Sequence, residues 1–321
     1  MSLRPEAVRP LLRGSFGRDS YLYVESCAST QRLAPADAPH GTVAVAEHQT
    51  EGRGRLGRSW VDEPGRSLLC SVVLRPARPV QDWPTLTGIV GEAAADAIEA
   101  VTALRPAIKP PNDLLLDGRK LAGILAEAQE GRIVLGIGVN VGAAPYEGSA
   151  ALGEETDRAA LLAELLARLE RAVEVWETIR PGTRADGPRI LEIFGAARVG
   201  QGMGFPPPEH EQKWLDRVFA GEVWLAGAAG FASIEGGLLD YLYVHPEAQG
   251  RFVGTALLAL AKQRRPDGFE LWVFQHLERS RRFYERHGCD LVRLTDGADN
   301  MERLPDALYA WRPPTGRTPP G

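Results

Sequence analysis

The chain has 321 residues, a formal charge of −5, 44% hydrophobic and 25% charged residues. At about 100–200 residues per domain this length predicts two domains, and the composition excludes a disordered chain, a collagen and a disulfide-stapled miniprotein. The negative balance excludes a general nucleic-acid affinity, so any polyanion site must be local. No run approaches about 18 uninterrupted apolar residues, so no membrane span is expected.

The opening Met1-Ser-Leu-Arg-Pro-Glu lacks the basic-then-apolar pattern of a signal peptide. Cys27, Cys70 and Cys289 form no Cys-x-x-Cys pair, which predicts reduced thiols in a cytoplasmic protein. Residues 1–18 read as an Arg- and Gly-rich leader, too short for a DNA-binding helical module. Short apolar runs bounded by Gly, Pro, Asp or Arg predict strands at 21–24, 42–47, 67–74, 114–116, 123–128 and 133–138. Leu86, Ile89, Val90, Ala94, Ala97, Ile98 and Val101 recur at helical spacing and predict a buried helix over 84–101. A second helix is predicted over 157–174, with Leu162, Leu165, Leu166, Leu169 and Val173 as its stripe and Glu164–Arg168 on the other face. Pro and Gly punctuation at 181–188 stops it, and Pro188 is placed to open a helix over 190–197. The boundary is therefore set near residue 175, giving domains 1–175 and 176–321.

A loop with three prolines follows at 206–208, then a predicted helix at 209–219. Strands are predicted at 223–226, 230–234, 238–244, 269–274, 290–294 and 308–311, and helices at 253–265 and 277–287. The Pro- and Gly-rich end, 313–321, is expected to fray. Helices and strands mixed in both halves make the fold class α/β (α+β).

The densest chemical signal is Gln49-Thr-Glu-Gly52-Arg53-Gly54-Arg55-Leu56-Gly57-Arg58-Ser59-Trp60. Its glycines free the backbone to bend around a ligand. Arg53, Arg55 and Arg58 concentrate positive charge suited to carboxylate or phosphate, and Trp60 offers an apolar wall. By composition alone this is equally an exposed basic loop or an Arg/Gly-rich nucleic-acid contact. Gly136-x-Gly138 invites a dinucleotide reading, but it lies within a strand and lacks the third glycine in place.

The whole pattern Gln-x-x-Gly-Arg-Gly-Arg-x-Gly-Arg-x-Trp resembles the biotin-binding loop of biotin protein ligases. Companion motifs stand in the same order: Ser26-Cys-Ala-Ser29-Thr30-Gln31, Lys109-Pro-Pro-Asn112-Asp113, Arg119-Lys120-Leu-Ala-Gly123-Ile-Leu125 and Gly136-Ile-Gly138-Val-Asn140. The resemblance covers about residues 20–175 and implies a class II synthetase-like catalytic domain. It implies that biotin and ATP form biotinyl-5′-adenylate, whose acyl group passes to a lysine of the biotin carboxyl carrier protein of acetyl-CoA carboxylase. Ser29, Thr30 and Gln49 would bond the ureido ring. Gly52, Arg53, Arg55, Arg58 and Trp60 would close over the adenylate, with Arg55 and Lys120 as catalytic residues. Lys109, Asn112 and Asp113 would bind ATP and its Mg²⁺, Asn140 would face the adenine, and Gly123 would complete the pocket. The family's tryptophan before Pro111 is Pro110 here, and its closing β-barrel is not visible, which predicts weaker ring binding and less efficient transfer. With only about 18 leader residues, a repressor role is not expected.

In the second half, Val244-His-Pro-Glu-Ala-Gln249-Gly250-Arg251-Phe252-Val253-Gly254-Thr255-Ala-Leu-Leu runs from a strand through a glycine turn into a helix. Unpaired N–H groups at such a helix start favour an anion; the plain alternative is an ordinary strand–turn–helix corner. The pattern resembles the acyl-CoA pyrophosphate motif of GNAT-type N-acetyltransferases. Ser280-Arg-Arg-Phe-Tyr284-Glu-Arg-His-Gly288 resembles their later helix, and Ile179-Arg-Pro-Gly their opening strand. The resemblance implies acetyl-CoA bound by Gln249, Gly250, Arg251, Val253, Gly254 and Thr255, and Tyr284 protonating the departing thiolate. Glu235 or Asp240 would assist the acceptor amine, while Phe252 in place of a glycine is expected to crowd the phosphate turn.

The expected function is thus biotin ligation with a fused N-acetyltransferase of unknown acceptor, in a cytoplasmic protein compatible with a homodimer and without nucleic-acid or membrane partners. The alternatives are a lipoate-type ligase, or a ligase whose GNAT-fold domain only binds.

Overall fold

In the computed structural model, which describes residues 2–129, 131–204 and 208–313, the chain divides into one unit ending at Glu177 and another beginning at Thr178. Each is built on its own seven-stranded sheet. Residues 206–207 of the expected proline loop and all of the expected frayed tail beyond residue 313 lie outside the described residues.

The first unit runs α1 (Pro5–Val8), β1 (Tyr21–Cys27), β2 (Val43–Gln49), β3 (Ser67–Leu74), α2 (Pro84–Thr102), β4 (Ala107–Lys109), β5 (Asp113–Leu116), β6 (Arg119–Gln129), β7 (Arg132–Asn140) and α3 (Arg158–Glu177). The strand order is β1-β2-β3-β7-β6-β5-β4. β1 and β2 are parallel, and every later neighbour is antiparallel. β3 is buried at every position, as a central strand covered on both faces must be. α2 buries Leu86, Ile89, Val90, Ala93, Ala94, Ala97 and Ile98, and its Gly91 faces Ile108 and Ile124 of the sheet. α3 lies beside α2. Their junction is fixed where the fully buried Trp176 donates its indole N–H to Thr85 Oγ1 at 2.6 Å, and that anchor carries the helix past residue 174 to Glu177. With Ile124 turned to the helices, its neighbour Gly123 faces the other side of the sheet. That second face carries the chemistry.

The second unit runs β8 (Ile179–Pro181), α4 (Gly187–Gly200), α5 (Pro208–Val218), β9 (Glu222–Ala226), β10 (Gly230–Glu235), β11 (Leu238–Val244), α6 (Val253–Arg264), β12 (Phe269–Phe274), α7 (Glu278–Arg286), β13 (Cys289–Leu294) and β14 (Asp306–Trp311). The order is β13-β14-β12-β11-β10-β9-β8. Ile190, Ile193, Phe194, Val218, Val223, Leu225 and Phe231 form its core cluster under α4 and α5. Gly230, one residue from Phe231 and so on the opposite face, lies against Val253 and Leu257 of α6. β11 and β12 are parallel but share a single register pair, Leu238↔Glu270, so the two strands part beyond it.

Among the described residues no helix is long and apolar enough to cross a membrane, and the three cysteines are free.

Candidate functional site

Parallel pairing of β1 and β2 places Cys27 opposite Gln49, so both strands release their ends at one edge. The chain after β1 therefore brings Ser29 and Thr30 to Gln49. Gln49 Oε1 accepts from Thr30 N–H at 2.7 Å, Thr30 Oγ1 at 3.1 Å and Ser29 Oγ at 3.2 Å. Both hydroxyl residues are only 3% exposed. Each hydroxyl spends its proton on Gln49; Thr30 Oγ1 already accepts from Ser71 Oγ at 2.8 Å, and the remaining lone pairs can take an incoming N–H.

The segment after Gln49 folds back as a narrow loop. Trp60 N–H donates to the Gly52 carbonyl at 2.9 Å, Gly54 N–H to that of Arg58 at 2.6 Å, and Arg53 bridges Ser59. Arg53 forms a two-pronged pair with Glu127 of β6, both contacts at 2.9 Å. Arg55 and Arg58 are exposed and, among the described residues, meet no carboxylate. The loop, with Leu125 and Glu127, borders a cavity of about 440 Å³.

Trp60 lies across β6 and β7, where Gly123 and Gly138 are register partners. A Cβ at Gly138 would come within 2.6 Å of the indole, so the ring requires that glycine, and one at Gly123 would make a tight contact at 3.1 Å. Gln31 covers Gly136 in the same way at 2.7 Å, and its amide donates to the Leu125 carbonyl at 2.9 Å. Lys120 Nζ stands 2.8 Å from Asp113 Oδ1 and 5.8 Å from the centre of the Trp60 ring, a carboxylate and a π-face on one ammonium. Asn112 pins its turn to β6 by donating to the Ile124 carbonyl at 3.1 Å and accepting from Ile124 N–H at 2.9 Å. Gln31 Oε1, Trp60 Nε1 and Asn140 Oδ1 are buried without a hydrogen-bond partner among the described residues. Such groups cost about 1–3 kcal/mol each and mark where a polar ligand would be rewarded.

In the second unit β11 leads through a short turn at Pro246–Ala248 to Gly250, whose φ of +74° suits glycine, and then to α6. The first N–H groups of α6 have no partner within the helix. Val253 and Thr255 are buried, and Thr255 Oγ1 lies 3.2 Å from His287 Nε2, so these residues present backbone only. Where β11 and β12 part, a cavity of about 1120 Å³ opens, reached by Asp240 and Tyr243 from β11, Trp272 from β12 and Tyr284 from α7. Burial holds the Tyr284 phenol well above its ordinary pKa, so it stays protonated at neutral pH. Burial also raises the Asp240 carboxyl, against the lowering effect of Arg217.

Comparison with known proteins follows this division. Residues 23–143 match the model of the biotin/lipoate A/B protein ligase family. The bifunctional ligase/repressor BirA of Bacillus subtilis is 37% identical over 170 residues, covering 47% of this chain and 52% of that protein. A biotin–[acetyl-CoA-carboxylase] ligase of Mycobacterium tuberculosis is 40% identical over 175 residues, covering 50% and 64%. One from Paracoccus denitrificans is 35% identical over 190 residues, covering 54% of this chain and 78% of that protein. The chain belongs to the biotin protein ligase family. It spans about half the length of the BirA relative. Residues 217–288 match the model of the acetyltransferase (GNAT) domain, so the fold class is α/β, a biotin ligase catalytic fold followed by a GNAT domain.

Within the ligase fold, Ser29, Thr30, Gln49, Trp60, Gly123, Lys120, Asn112 and Asp113 assemble on one face. Lys109 is exposed on β4. Asn140 has no exposed surface and donates to the Ala150 carbonyl at 3.0 Å, while its Oδ1 stays without a partner among the described residues. Arg53 pairs with Glu127, whereas Arg55 and Arg58 meet no carboxylate among the described residues. In the GNAT domain Phe252 is 8% exposed, with its backbone at a left-handed φ of +65°. Asp240 reaches the cavity, whereas Glu235 stands exposed at the end of β10. Sequence reasoning missed Glu127 and Gln31 as site residues. Gln31 carried a signal, a polar side chain directly following the Ser-Thr pair; Glu127 carried none.

Proposed function

We propose that the first unit joins the biotin carboxylate to the α-phosphorus of ATP, releasing pyrophosphate, and passes the biotinyl group to a carrier-protein lysine, releasing AMP. The observation that carries this reading is the Lys120 ammonium, held 2.8 Å from Asp113 beside the Trp60 ring. A fixed cation stabilises charge building where carboxylate meets phosphate without reorganising at the moment of reaction. Arg55 and Arg58 close over the adenylate and exclude water, and the Ser29–Thr30–Gln49 cluster holds the ureido ring. Trp60, flat across two glycines, is a rigid wall suited to a fused bicyclic ring, which favours biotin over lipoate. The carrier proposed is the biotin carboxyl carrier protein of acetyl-CoA carboxylase, the acceptor class in the names of two relatives. Asp113 and Asn112 would hold the Mg²⁺ that accompanies ATP, which would neutralise phosphate charge there.

The test is biotin-dependent exchange of labelled pyrophosphate into ATP. Wild-type protein is expected to catalyse it and Lys120→Ala to lose it; no exchange in the wild type overturns the reading.

For the second unit we propose acetyl-CoA-dependent N-acetyl transfer, with the thioester's pyrophosphate on backbone N–H groups across Gln249–Gly254 and Arg251 on the exposed side. Tyr284 protonates the thiolate and Asp240 takes the amine proton. Support comes from the cavity between the parted strands, which brings both groups to one space. Acetyl-CoA is expected to raise the melting temperature of the full chain; no shift at millimolar ligand overturns this.

A further inference from the structure

The cavity between β11 and β12 carries information about the acceptor. Its volume of about 1120 Å³ stands at the upper end of the roughly 300–1,000 Å³ typical of small-molecule pockets. One wall is aromatic. Phe194 and Trp214 stack with centres 4.1 Å apart, Trp214 meets Tyr241 edge-on at 5.5 Å, and Phe194 meets Tyr243 edge-on at 4.9 Å.

Beside that wall stands Asp240, partly buried, its counter-ion Arg217 no closer than 3.5 Å and mostly exposed. The other inward carboxylates are engaged. Glu302 pairs with Arg198 at 3.0 Å. Asp306 accepts from Asn300 at 2.9 Å and from the Thr295 hydroxyl. Lys213 and Arg293 add positive charge to the lining, and Asp299 sits exposed. Asp240 and Asp299 are thus the lining's less engaged anions, against Lys213, Arg217 and Arg293; a polycation would face those three like charges, and like charges brought together disfavour binding. A single ammonium attached to a ring is matched instead: the carboxylate takes the charge, and the aromatic wall takes the ring and the cation's flank.

We propose that the acetyl acceptor is a monoamine carried on an aromatic body, its ammonium against Asp240 and its ring against Trp214 and Tyr241. This rests on the acetyltransferase reading of the same cavity. The bound ammonium gives one proton to water through Asp240. The neutral nitrogen forms the C–N bond with the acetyl carbonyl as the C–S bond breaks. The nitrogen's next proton passes to Asp240, the sulfur takes the Tyr284 proton, and exchange with water restores both side chains. The products are an amide, a free thiol and one proton.

The experiment is calorimetric titration of the full chain with tryptamine, spermidine and a lysine-containing peptide, without acetyl-CoA. Tryptamine is expected to bind at least tenfold more tightly than either competitor. Asp240→Asn and Tyr241→Leu are each expected to weaken it at least tenfold while the acetyl-CoA melting shift persists. No tryptamine binding, or equal binding of spermidine or the peptide, overturns the proposal. Tryptamine binding without any acetyl-CoA shift upholds the ligand class and overturns the acetyltransferase reading.

Discussion

Trp60 and Gly138 occupy adjoining space so closely that a Cβ on Gly138 would lie 2.6 Å from the indole ring. The ring is a rigid body, so Gly138→Ala must displace it from β7. Overpacking of this kind costs about 1–3 kcal/mol. Gly138→Ala is expected to lower stability by that amount in urea denaturation and to weaken biotin binding at least tenfold by calorimetry. Gly136→Ala meets the movable amide end of Gln31 and is expected to do less on both counts.

Lys120 and Asp113 form the charged pair at the proposed junction of carboxylate and phosphate. Removing a preorganised charge-stabilising group costs about 10²–10³ in rate. Lys120→Ala is expected to lose that much pyrophosphate exchange with little change in biotin binding. Asp113→Asn leaves the ammonium in place but unheld, so a smaller loss is expected, measured by the same exchange.

In the proposed acetyl transfer, Tyr284 and Asp240 set the pH behaviour. Burial raises the Asp240 carboxyl above its ordinary 3.8, and only the ionised form accepts the amine proton. The rate is therefore expected to rise with pH through that elevated value and to fall as the carboxylate protonates on acidification. Tyr284→Phe is expected to cost at least about 10²-fold in thiol release with acetyl-CoA binding retained. A rate flat with pH in the acidic range would remove Asp240 from the mechanism.

Asp186 ties the start of α4. It accepts from Thr183 N–H at 2.8 Å and pairs with Arg180. The Arg180 contact first, and the Thr183 bonds with it, hold its carboxyl well below the ordinary range. The depressed pKa gives stability that is present above the unfolded value near 3.9 and is lost as pH falls through the folded one. Asp186→Ala is expected to cost about 1 kcal/mol at neutral pH, as loss of the capping-box hydrogen bond to Thr183 N–H does. It should also flatten the acid limb of a urea-denaturation series.

The legibility of these elements follows their packing. β3, β11 and β12 match their expected bounds of 67–74, 238–244 and 269–274, because each is a predominantly apolar, β-branched or aromatic run closed by turn residues. β4 escaped notice because its three residues are mostly exposed and owe their conformation to antiparallel pairing with β5. β6 starts at Arg119, before its apolar run, because β5 pairs with it from there; this puts Lys120 on a strand, where its side chain is aimed. The Arg/Gly loop was legible as chemistry. That Arg53 is neutralised was not, since Glu127 lies 74 residues away and only sheet register brings it there. The buried fates of Asn140 and Phe252 were hidden for the same reason: a polar or bulky residue in a motif shows its type, while its depth is set by the neighbouring strands.

Arg55 and Arg58 are exposed on the Arg/Gly loop, and no carboxylate among the described residues pairs with them. In the absence of nucleotide their mutual repulsion is relieved only by mobile salt, over a screening length of about 10 Å at 0.1 M. An arriving triphosphate displaces those small ions. Nucleotide affinity should therefore decline with ionic strength, while the ring pocket under Trp60, held by packing and hydrogen bonds, should be nearly indifferent to it. The two halves of one reaction would then answer differently to the saltiness of their surroundings.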